Sequence, residues 1–407
     1  MQTLKFTKKY ETYPDYKNSG VVWLSNIPKE WKVYRAKNLF KKMERTPKDG
    51  DEIVTAFRDG VVTLRKNRRE DGFTMADKEI GYQRIEKGDL VIHGMDAFAG
   101  AIGVSDSDGK SSPVYSACVP IRGSDPKYHS YLLRHMSKSN YIFALAKGIR
   151  ERSTEFRFKE FSTLEVAEPS RVEQVKIAKY LDEKLFLLDQ IIEKKEKQIE
   201  LLKEKRMIFI NQAINNVKGT EEKLKYIASE ENIKSELLSS HITYIGMENI
   251  ESNTGKYIPS LENISPESVS KVFYKNNVLF GKLRPYLAKV YSSEFSGICS
   301  GEFLVLKPRK EKMISKFLFY KLISKDFITK VNDSTYGSQM PRASWQFIGN
   351  QTLVYPTLVE QKEIVEKLDT KTSLYEGAIN KVTASIEKLK EFRTSLISNV
   401  VTGKIKV

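Results

Sequence analysis

The chain has 407 residues, 40% hydrophobic and 29% charged, enough core for two or three domains, which excludes a disordered polyelectrolyte. Its 68 Lys and Arg against 52 Asp and Glu leave a net charge of +16, which favours a polyanionic partner, nucleic acid first. Two cysteines, Cys118 and Cys299, allow no disulfide framework, no apolar run approaches membrane-spanning length, and MQTLKFTKKYETYPDY lacks a signal-peptide core, so a cytoplasmic protein is expected.

In chain order, residues before about Leu24 read as a leader with turn signals at Pro14 and Ser19-Gly20. A mixed region follows to about Ser170. Trp31 to Phe40 opens it as a short strand-like or helical piece. Glu52 to Phe73 predicts short strands around the Asp59-Gly60 turn, and GDLVIHGMDAFAGAIGVSD, from Gly88, predicts strand, turn and strand. After Pro126, KYHSYLLRHMSKSNYIFALAKG predicts a helix, and GIRERSTEFRFKEF, from Gly148, closes the region. Val172 to Ile214 predicts one long helix. A second mixed region, Lys218 to Thr357, repeats the plan: NNVLFGKLRPYLAKVYSSE, from Asn276, matches the Gly88 segment (276 − 88 = 188). The predicted helix SKFLFYKLISKDFITKV follows from Ser315, then STYGSQMPRASWQFIGNQTLVYPTL in the place of the Gly148 segment. A second long helix starts at Val359, with the same Val-Glu-Gln opening as the first.

In the first long helix Leu181, Leu185, Leu188, Ile192, Lys195, Ile199, Leu202, Arg206, Phe209 and Ala213 recur in alternating steps of four and three. Leu368, Thr372, Tyr375, Ile379, Val382, Ile386, Leu389, Arg393, Leu396 and Val400 do the same in the second, offset throughout by 187 (368 − 181). That alternation is a coiled-coil seam, and an apolar seam of such length needs a partner with the same period. Helix pairing is assigned to Leu181, Leu188, Ile192, Ile199 and Leu202 on one side, and to Leu368, Tyr375, Ile379, Ile386 and Leu389 on the other. The expected fold is α+β: two similar mixed α/β heads, residues 1–170 and 218–357, joined by two long antiparallel coiled-coil helices, 171–217 and 358–407, with an internal pseudo-two-fold.

Catalytic motifs are absent from the sequence. Gly281-Lys282 lacks the rest of a P-loop, and His93, His129, His135 and His241 show no metal spacing. Asp182-Glu183-Lys184 resembles a nuclease fragment, but its counterpart Asp369-Thr370-Lys371 lacks the Glu, and a solvated ion-pair face explains both better. Binding chemistry is better represented. Arg58, Arg65, Lys66, Arg68 and Arg69 form one basic cluster, and Arg150, Arg152 and Arg157 another. In the second head Lys282, Arg284, Tyr286 and Lys289 lie together, and Ser338, Gln339 and Arg342 form a further group. Lys and Arg neutralise phosphates, and Arg and Gln make paired bonds to guanine and adenine edges.

The motifs TAFRDGVVTLRKNRREDGF, GIRERSTEFRF, YIGMENIESNTGKY, NNVLFGKLRPYLAKV, SQMPRASWQFIGN and the two Val-Glu-Gln helix starts, in this order and duplicated, resemble the DNA-specificity subunit of Type I restriction–modification enzymes. The resemblance implies two target-recognition domains, each binding one half of a bipartite DNA site through the major groove, with spacer helices setting the gap. It implies a non-catalytic chain that docks two methylation subunits and two restriction/translocase subunits. S-adenosylmethionine, ATP and magnesium would be used by those partners, with no cofactor and no metal in this chain. Two other classes remain open from the residues alone: a stand-alone restriction nuclease or methyltransferase, and a coiled-coil scaffold binding acidic proteins.

Overall fold

In the computed structural model the chain forms two compact units, Met1–Lys194 with Ser385–Val407, and Lys195–Ala384. The structure describes residues 10–68, 79–146, 155–235, 242–259, 270–335 and 341–407.

The first unit is built on a four-stranded antiparallel sheet of β1 (Phe40–Lys42), β2 (Leu90–His93), β3 (Ile102–Val104) and β4 (Tyr115–Pro120), in the order β1-β4-β2-β3. The second has the same sheet: β5 (Ala228–Glu231), β6 (Val278–Gly281), β7 (Val290–Ser292) and β8 (Phe303–Pro308), in the order β5-β8-β6-β7. Each strand begins 188 residues after its counterpart (228 − 40, 278 − 90, 290 − 102, 303 − 115). Both faces of these sheets are covered, which is why their central strands read as near-continuous apolar runs. Leu90 and Ile92 join a core with α1 (Pro126–Lys138), while Val91 joins Val54, Val62 and Ile85 on the other face. In the second unit Val278 and Phe280 face α3 (Ser315–Ile323), and Leu279 faces Ile245, Phe273 and Cys299. The smaller covering sheets differ. The first unit uses two strand pairs, Val54–Ala56 with Val62–Leu64 and Gln83–Ile85 with Gly109–Ser111; the second uses one four-stranded sheet.

Three expectations are corrected. Tyr16–Val21 and Leu24–Pro28 pair as an antiparallel hairpin rather than forming a leader. The helix after Pro126 stops at Lys138, because Asn140 takes a left-handed backbone (φ 59°), and a short helix Tyr141–Leu145 follows. The helical stretch from Ser315 breaks at the extended Ser324 and resumes as Lys325–Asp333.

The long helices are α2 (Arg171–Asn215) and α4 (Leu358–Val401). A capping box starts α4: the Thr357 hydroxyl accepts from the Glu360 backbone at 3.4 Å, and the Glu360 carboxylate accepts from the Thr357 backbone at 3.0 Å. Gly403, with φ 74°, lets the chain turn back after the last turn. In the first unit Leu181, Leu185 and Leu188 share one core with Leu389, Leu396 and Val400. The start of α2 lies by the chain end there, since Tyr13 touches both Glu173 and Lys406, and Asp189 meets Arg393 at 3.1 Å; the two segments run antiparallel. In the second unit Ile210 and Ile214 share a core with Val365 and Leu368, and Arg206 meets Glu376 at 3.5 Å, again antiparallel. The remaining seam positions assigned to pairing, Ile192, Ile199, Leu202, Tyr375, Ile379 and Ile386, are all buried or half-buried. The seam arginines are thus each answered by a carboxylate, and both pairs obey the 187 offset (393 − 206, 376 − 189).

A buried polar cluster ties the first head to α2. Glu168 accepts from Ser124 at 2.6 Å and from Gln174 at 2.8 Å, and its other oxygen lies 2.8 Å from the His129 imidazole. Burial pushes the Glu168 carboxyl up, but His129, Ser124 and Gln174 outweigh it and hold the group below its ordinary 4.5. A lowered folded-state value contributes stability that is present above the unfolded value and lost as pH falls through the folded one. Melting temperature should therefore drop more steeply in the wild type than in Glu168→Gln as the pH is taken down from about 5. Parallel curves would remove Glu168 as a source of acid sensitivity.

Candidate nucleic-acid interface

In the first head the described members of the basic cluster are each held by neighbours. Arg58 reaches Asp96 at 2.8 Å, Lys66 reaches Glu52 at 2.5 Å, and Arg65 donates to the Thr55 hydroxyl at 3.2 Å. Arg68 makes a forked pair with Asp59 at 2.7 and 3.0 Å, and its guanidinium stacks over Phe57 at 4.5 Å. Arg157 meets Glu155 at 2.8 Å. The four ion pairs are largely exposed, so each is worth little on its own and can be exchanged for a phosphate at small cost. Arg69, Arg150 and Arg152 lie outside the described residues, as do Ser338, Gln339 and His241.

The second head is arranged differently. The loop 281–289 leaves β6 and returns into β7. Lys282 donates its backbone N–H to Glu302 and accepts from Ala343, and the Arg284 N–H donates to the Pro341 carbonyl, all at 2.9 Å. These bonds pin the loop on both sides. Arg284 is exposed and left-handed (φ 49°, ψ 64°), and Tyr286 is exposed beside it. Among the described residues neither the Lys282 ammonium nor the Arg284 guanidinium has a hydrogen bond or ion pair. Arg342, on the neighbouring segment, pairs with Glu302 at 2.9 Å. Lys289 is turned inward and donates to the Met247 carbonyl at 2.6 Å, so it supports the loop from behind. Non-glycine residues in the left-handed region are strained and collect at functional sites.

Ala288 is a second strained position, with φ 47°; its first-head counterpart is Gly100 (288 − 100 = 188), with φ 98°. A glycine relieves the strain while adding freedom to the unfolded chain. Ala288→Gly should therefore stabilise the second unit by about 0.5 kcal/mol in urea unfolding; a loss of stability would mean the Ala288 methyl matters more than its backbone.

Sequence reasoning missed the side chains that join heads to helices. Asp182, assigned to a solvated ion-pair face, accepts from the Tyr131 hydroxyl, and Asp369 accepts from Tyr320 at 2.5 Å. Gln174 and Gln361, the last residues of the two Val-Glu-Gln openings, are fully enclosed. The shared tripeptide was the available signal; an identical polar residue at two helix starts marks a repeated contact.

Residues 207–387 match the Type I restriction modification DNA specificity domain. That match covers 181 of the 407 residues, a little under half of the chain. It takes in the second head and helix segments on either side of it, and the family is the one the sequence motifs resemble. Over 176 residues the chain is 24% identical to the Type I restriction enzyme EcoDI specificity subunit of Escherichia coli, an alignment covering 42% of this chain and 39% of that protein. Over 92% of its length it superposes, with a TM-score of 0.71 and 12% identity, on 98% of a chain solved in work on complex assembly and conformational transition of the type I R-M system. It also matches the HsdS subunit from Thermoanaerobacter tengcongensis, with a TM-score of 0.53 and 13% identity, over 93% of this chain and 98% of that one. These likenesses give the fold: mixed α+β heads joined through long helices. Outside residues 207–387, the first unit repeats the strand order of the central four-stranded sheet of the matched region. No described helix is long and apolar enough to cross a membrane.

Proposed function

We propose that this chain is the DNA-reading subunit of a Type I restriction–modification complex. Each head reads one half of a bipartite site, and the paired helices set the gap between the halves. One observation carries the reading: a DNA specificity domain over residues 207–387 whose sheet and helix docking recur in the first unit at a constant offset. The net charge of +16 suits a polyanionic duplex. In the second head the contact residues are Lys282, Arg284 and Tyr286. In the first they are Arg58, Lys66, Arg68 and Arg157, released from their carboxylates on binding, and Arg65, released from the Thr55 hydroxyl.

The outer helix faces support docking of two copies of one partner. Val172 and Val359 are each 69% exposed, and Leu187 and Leu374 are 50% and 62% exposed; both pairs obey the 187 offset. Apolar residues left in water at equivalent places suit two equivalent contacts. The partners are two methylation subunits, which bring S-adenosylmethionine, and two restriction/translocase subunits, which bring ATP and magnesium. The chain is then a reader and an assembly platform in the cytoplasm, with the chemistry on its partners.

The test is a head replacement. Residues 218–357 are exchanged for those of a related chain, and bound duplexes are selected from a random pool by the complex with its methylation subunits. One half-site should change and the other persist. An unchanged recognition sequence, or binding without sequence preference, would remove the proposal.

A further inference from the structure

The two heads are fastened to their helices by the same side chains in the same roles. Gln174, 2% exposed, accepts from the backbone N–H of Asp125, the N-cap of α1, at 2.7 Å; its amide donates to Glu168 at 2.8 Å and to the Pro169 carbonyl at 2.9 Å. Gln361, 0% exposed, accepts from the N–H of Ile314, the N-cap of α3, at 2.9 Å; its amide donates to the carbonyls of Lys312 at 2.8 Å and Pro356 at 2.9 Å. About two turns further on, Asp182 takes the Tyr131 hydroxyl and lies 3.4 Å from Lys127; Asp369 takes the Tyr320 hydroxyl and lies 3.8 Å from Lys316. A third point holds the end of the other long helix. The Val401 carbonyl accepts from the Tyr128 hydroxyl at 3.4 Å, and the Ile214 carbonyl accepts from the Lys321 ammonium at 2.6 Å. Here the acceptor position is repeated (401 − 214 = 187) although the donor differs.

A helix start has no need of a buried glutamine in its second visible turn; capping is done by Ser170 and by the Thr357–Glu360 box. Each glutamine instead bridges its helix to the first turn of the head helix and to the linker proline. Its three bonds are made out of water, so deleting it strands a backbone N–H and the acceptors it served. We infer that Gln174 and Gln361, supported by Asp182 and Asp369, are positioning residues that hold each head at a fixed angle to its helix pair, and thereby fix the spacing at which the heads read DNA. The spacing half of this statement rests on the function proposed above; the attachment rests on the geometry alone.

The experiment uses the full chain with its methylation subunits and duplexes whose gap is native, or one base pair longer or shorter, a displacement of about 3.4 Å. Wild type should favour the native gap. In Gln361→Ala that preference should fall by about tenfold, a coupling of about 1.4 kcal/mol, with base preferences inside each half-site unchanged. A purely structural role would reduce the folded fraction and leave the preference intact, and that result overturns the inference. Tyr320→Phe, which removes a single hydroxyl, provides the same reading in a milder variant should Gln361→Ala fail to fold. Binding by wild type without sequence preference would overturn the DNA reading and with it the spacing claim. Amide exchange in the free chain then judges the attachment: the Ile314 N–H should lose protection in Gln361→Ala while the Leu306 N–H in β8 keeps it, and unchanged protection at Ile314 overturns the attachment too.

Discussion

Replacing Leu181 by alanine is expected to lower the stability of the first unit by about 3 kcal/mol. Leu181 is fully buried, in one core with Leu389, Leu396 and Val400 from the returning helix and with Leu132 and Met136 from the head. Truncation removes burial from the seam and from the head together, and neither helix can close the cavity without leaving its register. Leu187, half-exposed on the same helix, is the control, and its alanine variant should stay within about 0.5 kcal/mol of wild type. Trp23 and Trp31 belong to the first unit, so urea unfolding followed by tryptophan fluorescence in a Trp345→Phe background reports on that unit. Equal effects at Leu181 and Leu187 would mean that the seam does not hold the unit together.

Removing two cations of the 281–289 loop that no described carboxylate answers, Lys282→Ala with Arg284→Ala, should weaken DNA binding by about tenfold or more. Each lost phosphate contact should also lower the slope of log affinity against log salt by about 1. The effect should exceed that of Arg58→Ala, because Arg58 is already engaged by Asp96 at 2.8 Å and gives up a bond to bind. Titrations at several salt concentrations separate the outcomes. A fall in affinity with an unchanged slope assigns Arg284 to a base edge, and an unchanged affinity removes this loop from the interface.

The helices and the duplication were legible because they are written as periods. A seam repeated at one offset survives divergence, since every apolar position along it must meet another. Ion pairs on the seam were half legible: the seam period placed Arg206 and Arg393, while their answering carboxylates, Glu376 and Asp189, lie on the facing segments and share no local pattern with them. The central strands were read from apolar runs at Leu90 and Val278, and the pair Val54–Ala56 with Val62–Leu64 from the Asp59-Gly60 turn between them, but the covering pair Gln83–Ile85 with Gly109–Ser111 was not, because each strand is three residues long and finds its partner far along the chain. Helix breaks at Asn140 and Ser324 escaped notice because neither residue is a strong breaker; the apolar periodicity resumes on both sides. At the candidate interface, charge picked out the basic residues and said nothing about their acids. Only the fold distinguishes Arg68, clasped by Asp59, from Arg284, presented on a strained loop.

The most direct measurement lengthens both long helices by four residues at matched places, adding about 6 Å to each helix. Sites are then selected from a random duplex pool with the methylation subunits present. Both half-sites should be kept and the gap should grow by about two base pairs. A gap that stays as it was, with both half-sites still read, would contradict the claim that the paired helices measure the distance between the heads.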